Sequence, residues 1–160
     1  MAIRRILKGN HTVLRSQARP VKKINQAIIT LLDDMAETMY EYEGVGLAAP
    51  QIGIAKRLIV LDPGEDHLMK LINPRCIEME GEENGVEGCL SIPGIFGEVP
   101  RAFRVQVEAL DPGGNLIQIE ATGFLARILQ HEIDHLNGIL FLDRAIRLVD
   151  PAERPEEERA

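Results

Sequence analysis

Residues 131–135 read His-Glu-Ile-Asp-His. Two imidazoles four residues apart share one face of a helix, and the carboxylate between them sits close by. Advancing 100° per residue from Arg127 puts His131 at about 40°, His135 at about 80° and Glu132 at about 140°. Such a pair can ligate a divalent metal ion, with the glutamate in reach of an attacking water's proton. The zinc peptidases best known for this spacing continue to a third histidine. Here that position is Phe141, so a third ligand must come from elsewhere. Glu153, Glu156, Glu157 and Glu158 lie in a charged tail with few apolar residues to fix them. The remaining donors are Cys89, Cys76, His67, His11 and Glu87. Cys76 lies in an extended stretch, where a small buried thiol is the ordinary role. His67 follows a turn and is expected to face solvent. Cys89 lies between Gly88 and Pro93-Gly94, where backbone can approach closely. Spacing favours Cys89 as the third ligand without deciding it.

The helix that must carry this motif is expected over 123–137, with Thr122 as N-cap and Gly138 as its stop. Phe124 and Ile128 share the histidine side, and Leu125, Leu129, Ile133 and Leu136 form a separate apolar band. Arg127, Gln130, Asp134 and Asn137 fill the rest, with Arg127 and Asp134 expected on the outer face as a solvated or structural pair. A first amphipathic helix is expected over 24–42, from apolar residues at 24, 28, 31, 32, 35, 39 and 42. Residues 43–53 are glycine-punctuated and cannot form a regular helix. A strand over 56–62 ends at Pro63-Gly64. Residues 68–80 are extended but interrupted by Pro74, which predicts an edge strand or a bulge. Residues 82–94 are glycine-rich around Cys89. Residues 103–123 alternate on both sides of Asp-Pro-Gly-Gly-Asn and predict a hairpin. One helix, several strands, then a second helix is an α+β order rather than a doubly wound one. The fold expected is a set of small antiparallel or mixed sheets around a central C-terminal helix carrying the histidine motif. One catalytic domain over 1–149 and a charged tail over 150–160 complete it.

The bulk properties narrow the partners. The 160 residues carry 25 acidic against 18 basic side chains, a net charge of −7. That argues against broad affinity for DNA or an anionic membrane surface. There is no apolar run of membrane-spanning length. Two cysteines cannot build a disulfide framework, and reduced thiols in the cytoplasm are the expectation. No acidic residue precedes Asp33, while Arg4, Arg5, Lys8, Arg15, Arg19, Lys22 and Lys23 are basic. An acid-poor, Arg-rich start can mark a transit peptide. Here Ser16 is the lone serine and Pro20 interrupts any helix, so the segment is taken as part of the fold.

Three stretches together resemble the peptide deformylases of bacteria: Gly-Val-Gly-Leu-Ala-Ala-Pro-Gln-Ile-Gly (44–53), Glu-Gly-Cys-Leu-Ser-Ile-Pro (87–93) and Gln-His-Glu-Ile-Asp-His-Leu-Asn-Gly (130–138). They occur in the family's order and with similar separations, and the likeness runs from about Ala2 to Asp143. It implies a metal-dependent hydrolase that removes the N-formyl group from formylmethionine on newly synthesised polypeptides, releasing formate. It implies one divalent metal on Cys89, His131 and His135, with Fe2+ expected and Zn2+, Ni2+ or Co2+ able to substitute. Glu132 would accept a proton from the attacking water, while the Gln51 amide and the Leu90 backbone N–H would stabilise the oxyanion. Gly44 and Gly46 would let the peptide run along the backbone. Val45, Val86, Phe124 and Ile128 would line the methionine pocket, and Glu87 and Arg101 would pair to steady the cysteine segment. Formylated nascent peptides are the implied partners, with transient ribosome contact and a bacterial cytoplasmic location. Some relatives carry an arginine soon after Ser-Ile-Pro, where this chain has Gly94-Ile95-Phe96-Gly97. Some also dock to the ribosome by a long basic C-terminal helix, whereas this chain ends in a Glu-rich tail. Two other classes remain as alternatives. A general zinc endopeptidase lacks its third histidine at Phe141. A non-catalytic thiolate metal or redox sensor would have no need of Glu132 or Gln51.

Overall fold

In the computed structural model, which describes residues 2–64 and 66–153, the first helix starts where a side chain can close it. The Asn25 carboxamide accepts from the Ile28 N–H at 3.1 Å, and α1 spans Gln26–Glu41. It buries Ile28, Leu31, Leu32, Met35 and Met39 on one stripe. Its end is a left-handed turn at Glu43 (φ 57°): Glu43 N–H donates to Tyr40 O and Gly44 N–H to Met39 O. That turn delivers the chain into β1 (Gly46–Ala48), and a 3-10 turn at Ala49–Ile52 follows.

β2 (Leu58–Leu61) is buried along its whole length. Leu58 and Val60 pack with the α1 stripe, whereas Ile59 and Leu61 pack with the second long helix. The period-2 alternation of a strand thus serves two cores. β3 (Met69–Glu80), β6 (Arg104–Leu110) and β7 (Leu116–Thr122) extend an antiparallel sheet in the order β1-β2-β3-β6-β7. The hairpin expected over 103–123 is β6 and β7, turning at residues 111–115 with Leu110 opposite Leu116. β3 corrects one of the two expectations for Pro74, since it is central and not an edge. The proline is accommodated by a register shift between Ile72 and Arg75, with Asn73 left-handed (φ 52°). The Asn73 side chain then pairs both ways with the Val21 backbone, at 2.8 and 2.9 Å.

The glycine-rich segment around Cys89 is also regular. It forms β4 (Glu83–Cys89), which turns through Leu90 and Ser91 into β5 (Ile92–Arg101). A short β8 (Arg147–Val149), which the sequence did not announce, completes this three-stranded sheet in the order β4-β5-β8. Gly85 and Gly88 are small for packing reasons. A Cβ on Gly85 would lie 2.7 Å from the Arg127 guanidinium carbon, and one on Gly88 2.5 Å from the Phe96 ring.

α2 (Gly123–Leu136) packs its apolar side on the five-stranded sheet. Thr122 is its N-cap residue, but its side chain makes no capping bond. Its C-terminus closes as foreseen: Gly138 is left-handed (φ 73°), Gly138 N–H donates to His135 O and Ile139 N–H to Asp134 O. A Cβ on Gly138 would also meet Arg15 O at 2.5 Å. Every residue from Ala126 to Leu136 is buried, so the expected solvent face does not exist. A short α3 (Phe141–Arg144) precedes β8. Of the tail, Pro151–Glu153 forms a 3-10 turn, and 154–160 lie outside the described residues.

The basic N-terminal arm belongs to the fold. Ala2 N–H and the Arg4 guanidinium both donate to Asp34 on α1. Further along, Leu7 N–H donates to Gln51 O, Gly9 N–H to Ser91 O and Ala18 N–H to Leu136 O. The arm therefore binds one residue in each of the three motif segments.

Candidate metal centre

β4 ends on Cys89, and α2 presents His131 and His135 one turn apart on the side facing it. The Cys89 Sγ lies 3.3 Å from His135 Nε2. One donor atom from each of the three residues falls within 4.8 Å of the other two, and all three residues are buried. Two ligands bound at about 2.0–2.3 Å to a tetrahedral ion stand on the order of 3.5 Å apart. The cluster therefore fits a divalent ion with three protein ligands and an open position.

The orientation of His131 is fixed by what lies behind it. Its Nδ1 is 2.8 Å from Glu87 Oε1. Glu87 is kept well below the usual carboxylate range: burial opposes ionisation, but the Arg101 and His131 hydrogen bonds and charges outweigh it. An ionised carboxylate can only accept, so Nδ1 carries a proton. Burial opposes a second proton on Nε2, but bonds with Cys89 and Glu87 and the charges of Glu132 and Glu87 raise the His131 pKa well above its ordinary value, so a divalent ion at the cluster would take the Nε2 lone pair by displacing a proton. Phe141, at the position where the zinc peptidases keep a histidine, stacks its ring on His131 with centroids 6.1 Å apart and 20° between planes. Burial and the nearby His131 push His135 well below its ordinary value, which favours the neutral imidazole a ligand must be. His135 Nδ1 is buried and has no hydrogen-bond partner among the described residues.

Glu132 lies across the cluster, against β1. A Cβ on Gly46 would fall 2.5 Å from its Oε2, so glycine at this position makes room for the carboxylate. The missing side chain at Gly46 therefore has a reason within the fold itself, beside the peptide path that the resemblance implies. Burial pushes the Glu132 carboxyl up to about 7, with Glu87 adding to the rise and His131 opposing it. Its Oε1 is buried without a partner among the described residues. Gln51 sits on the other flank. Its Oε1 accepts from Ala48 N–H at 3.0 Å, which turns Nε2 toward Ser91 Oγ (3.1 Å) and Cys89 Sγ (3.5 Å). Leu90 follows Cys89 directly in the β4–β5 turn.

A small pocket opens beside the histidines, lined by Val45, Val86, Phe124 and Ile128 together with His131 and Glu132. β1 borders it as an edge strand, paired among the described residues only on its β2 side. A second cleft opens next to Cys89, lined by Ile6, Tyr42, Leu90, Ile92, Pro93 and Phe96. Gly44 faces Leu90, whose Cδ1 would lie 2.8 Å from a Cβ there. Of the other donors considered from sequence, His67 and His11 are exposed, while the half-buried Cys76 Sγ contacts Glu78 O on β3.

Glu87 and Arg101 pair as expected, through two bonds of 2.9 Å each. Several partners were not foreseen. Arg127 donates to Glu87 Oε2 (2.7 Å), Val99 O and Glu83 O, all from a buried position. Asp134 accepts from Arg101 (2.6 Å) and from Arg144 (2.6 and 3.0 Å). Arg127 and Asp134 are thus neither solvated nor paired with each other, and each ties α2 to the cysteine sheet. The polar third face of α2 carried their signal, because Gln130 on that face is also buried and pairs both ways with the Ala102 backbone. Ser91 and Arg144 had no local signal.

Known proteins resemble this chain over nearly its whole length. The family model for polypeptide deformylase matches residues 3–150. A peptide deformylase of Symbiobacterium thermophilum is 56% identical over 160 residues, covering 99% of this chain and 74% of that one. Another, from Thermoanaerobacter pseudethanolicus, is 54% identical and covers 98% of both chains. The crystal structure of peptide deformylase from Thermotoga maritima superposes with a TM-score of 0.88 at 42% identity, over 91% of this chain and 99% of that one. Matched along nearly its whole length in sequence and in fold, this chain belongs to the polypeptide deformylase family.

Proposed function

We propose that this metal-dependent enzyme, which removes the N-formyl group from newly synthesised polypeptides, does so at the cluster of Cys89, His131 and His135, with Glu132 moving the proton. The observation that carries the assignment is the position of Glu132: a buried carboxylate, raised to about 7, beside three converging donors. A divalent ion at the cluster supplies Lewis acidity to the formyl carbonyl and to the attacking water. Glu132 accepts the water's proton and returns it to the leaving amine, freeing formate and a new N-terminus. A carboxyl poised near neutrality suits both transfers, and a neighbouring cation lowers that value toward the base form. The Gln51 amide, turned by its bond from Ala48, and the Leu90 N–H stabilise the oxyanion.

The methionine side chain enters the pocket of Val45, Val86, Phe124 and Ile128, and the peptide backbone pairs with β1 along Gly44–Val45–Gly46 as an added strand. Glu87 and Arg101 hold His131 in its ligand tautomer. One thiolate with two imidazoles does not select among Fe2+, Zn2+, Ni2+ and Co2+; Fe2+ is the ion we assign. Residues 1–149 act as one catalytic domain in the bacterial cytoplasm, and no helix among the described residues is long and apolar enough to cross a membrane. Transient ribosome contact suits the groove edged by exposed Arg19, Lys22, Lys23 and Lys56.

The test is an anaerobic assay of the ferrous protein on a formyl-Met tripeptide, with an acetyl-Met peptide as control. Formate release from the first alone is expected, and its absence overturns the assignment. Glu132→Ala should keep its metal and lose turnover. Loss of metal and fold together would make Glu132 structural.

A further inference from the structure

The ion pairs behind His131 do not stop at Arg101. Glu87 is saturated: Oε1 accepts from His131 Nδ1 and Arg101 Nη2, and Oε2 from Arg101 Nε and Arg127 Nη1. The third nitrogen of Arg101, Nη1, donates to Asp134 Oδ2 at 2.6 Å. Asp134 is itself gripped from outside by Arg144, whose Nε and Nη2 meet its two oxygens at 2.6 and 3.0 Å. The side chains of Glu87 and Arg101 are 5% and 3% exposed, that of Asp134 11%, and that of Arg144 45%. A continuous chain of charges thus runs from the imidazole, around α2, to a half-exposed arginine on α3.

We infer that Asp134 and Arg144 are positioning residues for the metal centre, acting on His131 through Arg101 and Glu87. This rests on His131 being a metal ligand.

The physical argument is one of competition. The guanidinium of Arg101 is planar, so a bond at Nη1 fixes the plane in which Nε and Nη2 face Glu87. With Arg144 present, Asp134 has two cations and demands little of Arg101. Without Arg144, Asp134 is a buried carboxylate served by Arg101 alone. It then draws Arg101 toward itself and away from Glu87, because an underpaired buried charge is the costlier defect. Glu87 loosens, and the Nδ1–H···Oε1 bond that aims His131 Nε2 loosens with it. Removing Asp134 instead leaves Nη1 of Arg101 unpaired and its plane free to turn.

The experiment loads the full-length enzyme with Co2+, challenges it with excess EDTA, and follows the decay of the thiolate–cobalt absorption. Arg144→Ala is expected to speed metal loss roughly tenfold, the low end of what outer partners of metal ligands contribute. It should also lower kcat with KM unchanged. Arg144→Lys, with a point charge in place of a two-pronged grip, should restore part of the effect. Arg147→Ala is the control. It breaks a similarly exposed ion pair, with Glu98 at 2.8 Å on the same sheet, that does not reach Glu87. Its decay should match the parent enzyme. If Arg144→Ala decays no faster than Arg147→Ala, the inference is overturned. Asp134→Asn is not needed for that decision, so misfolding there costs nothing. Cys89→Ser, run in parallel and followed by its cobalt content after the EDTA challenge, separates the two layers: if it retains cobalt like the parent, the metal assignment itself fails.

Discussion

Gly46→Ala tests where the base sits. The added methyl would fall 2.5 Å from Glu132 Oε2 and 2.9 Å from its Cδ and Cγ. Ordinary contact begins at about 3.5 Å, so the carboxylate must retreat by roughly 1 Å. It is buried against β1, so it can yield only by changing rotamer or by shifting toward the pocket it borders, and either move takes it from its present place. A displacement of about 1 Å at a reacting group costs on the order of 10²-fold in rate, or about 2.7 kcal/mol of barrier. Gly46 lies outside the left-handed region, so alanine adds no backbone strain, and none of the three ligand donors is touched. The expected result is full metal content, a near-parental melting temperature and kcat down about a hundredfold on a formyl-Met tripeptide. Adding the change to Glu132→Ala should cost nothing further, because the group it displaces is already gone. A raised KM with kcat intact would refute the reasoning. It would mean that Gly46 is small for the substrate's backbone and that Glu132 is not held where the catalytic proton moves. Gly44→Ala is the comparison: its methyl meets the tip of Leu90, which can swing aside, so a much smaller effect is expected.

Two further outcomes are expected. Cys89→Ser should weaken metal retention by at least the roughly 10–100-fold that altering an outer partner costs, measured by metal content after dialysis; unchanged content would remove Cys89 from the ligand set. Asp34 should contribute acid-sensitive stability. Burial alone would raise its pKa, but bonds from Arg4 and the Ala2 N–H bring it below the usual value. A depressed folded-state pKa stabilises above the unfolded value of about 4 and is lost as pH falls through the folded one. The gap in melting temperature between the parent and Asp34→Asn should therefore be larger at pH 7 than at pH 3. A gap independent of pH would show that the Arg4 clasp does not depend on the Asp34 charge.

What the sequence revealed follows from how far each partner lies along the chain. The two long helices and the hairpin at Asp111 were legible because their signals are local: a 3.6 period, an alternation, a turn sequence. Their ends moved by a residue or two, as with Asn25, which caps α1 rather than joining it. The 82–94 segment showed only that it is glycine-rich and carried no strand signal. Gly85 and Gly88 are glycines because Arg127 and Phe96, residues from other elements, occupy the space of their side chains. The histidine pair was visible by spacing, whereas Cys89 could be singled out firmly only through the resemblance. The polar stripe of α2 was read as surface because a helical wheel shows which residues share a face and not what covers it. Ser91 and Arg144 carry no pattern at all, since the groups they hold, Gln51 and Asp134, are defined only by the folded geometry.

The N-terminal arm gives the centre a kinetic character. Its bonds reach Gln51, Ser91 and Leu136 in turn, and the Arg15 side chain meets Gly138 O across 123 positions. Contacts of such separation slow folding far more than they alter stability, because the loop must close before the contact repays it. During synthesis, residues 7–18 emerge long before the helix they are to clasp. They must remain unpaired on that side until α2 has been made, exposing basic and apolar side chains in the interval. The cysteine hairpin, by contrast, can pair within itself as soon as β5 is out. Assembly of the three donors therefore waits until α2 has been made, and the clasp of the arm on Leu136 is among the last of these contacts that synthesis permits.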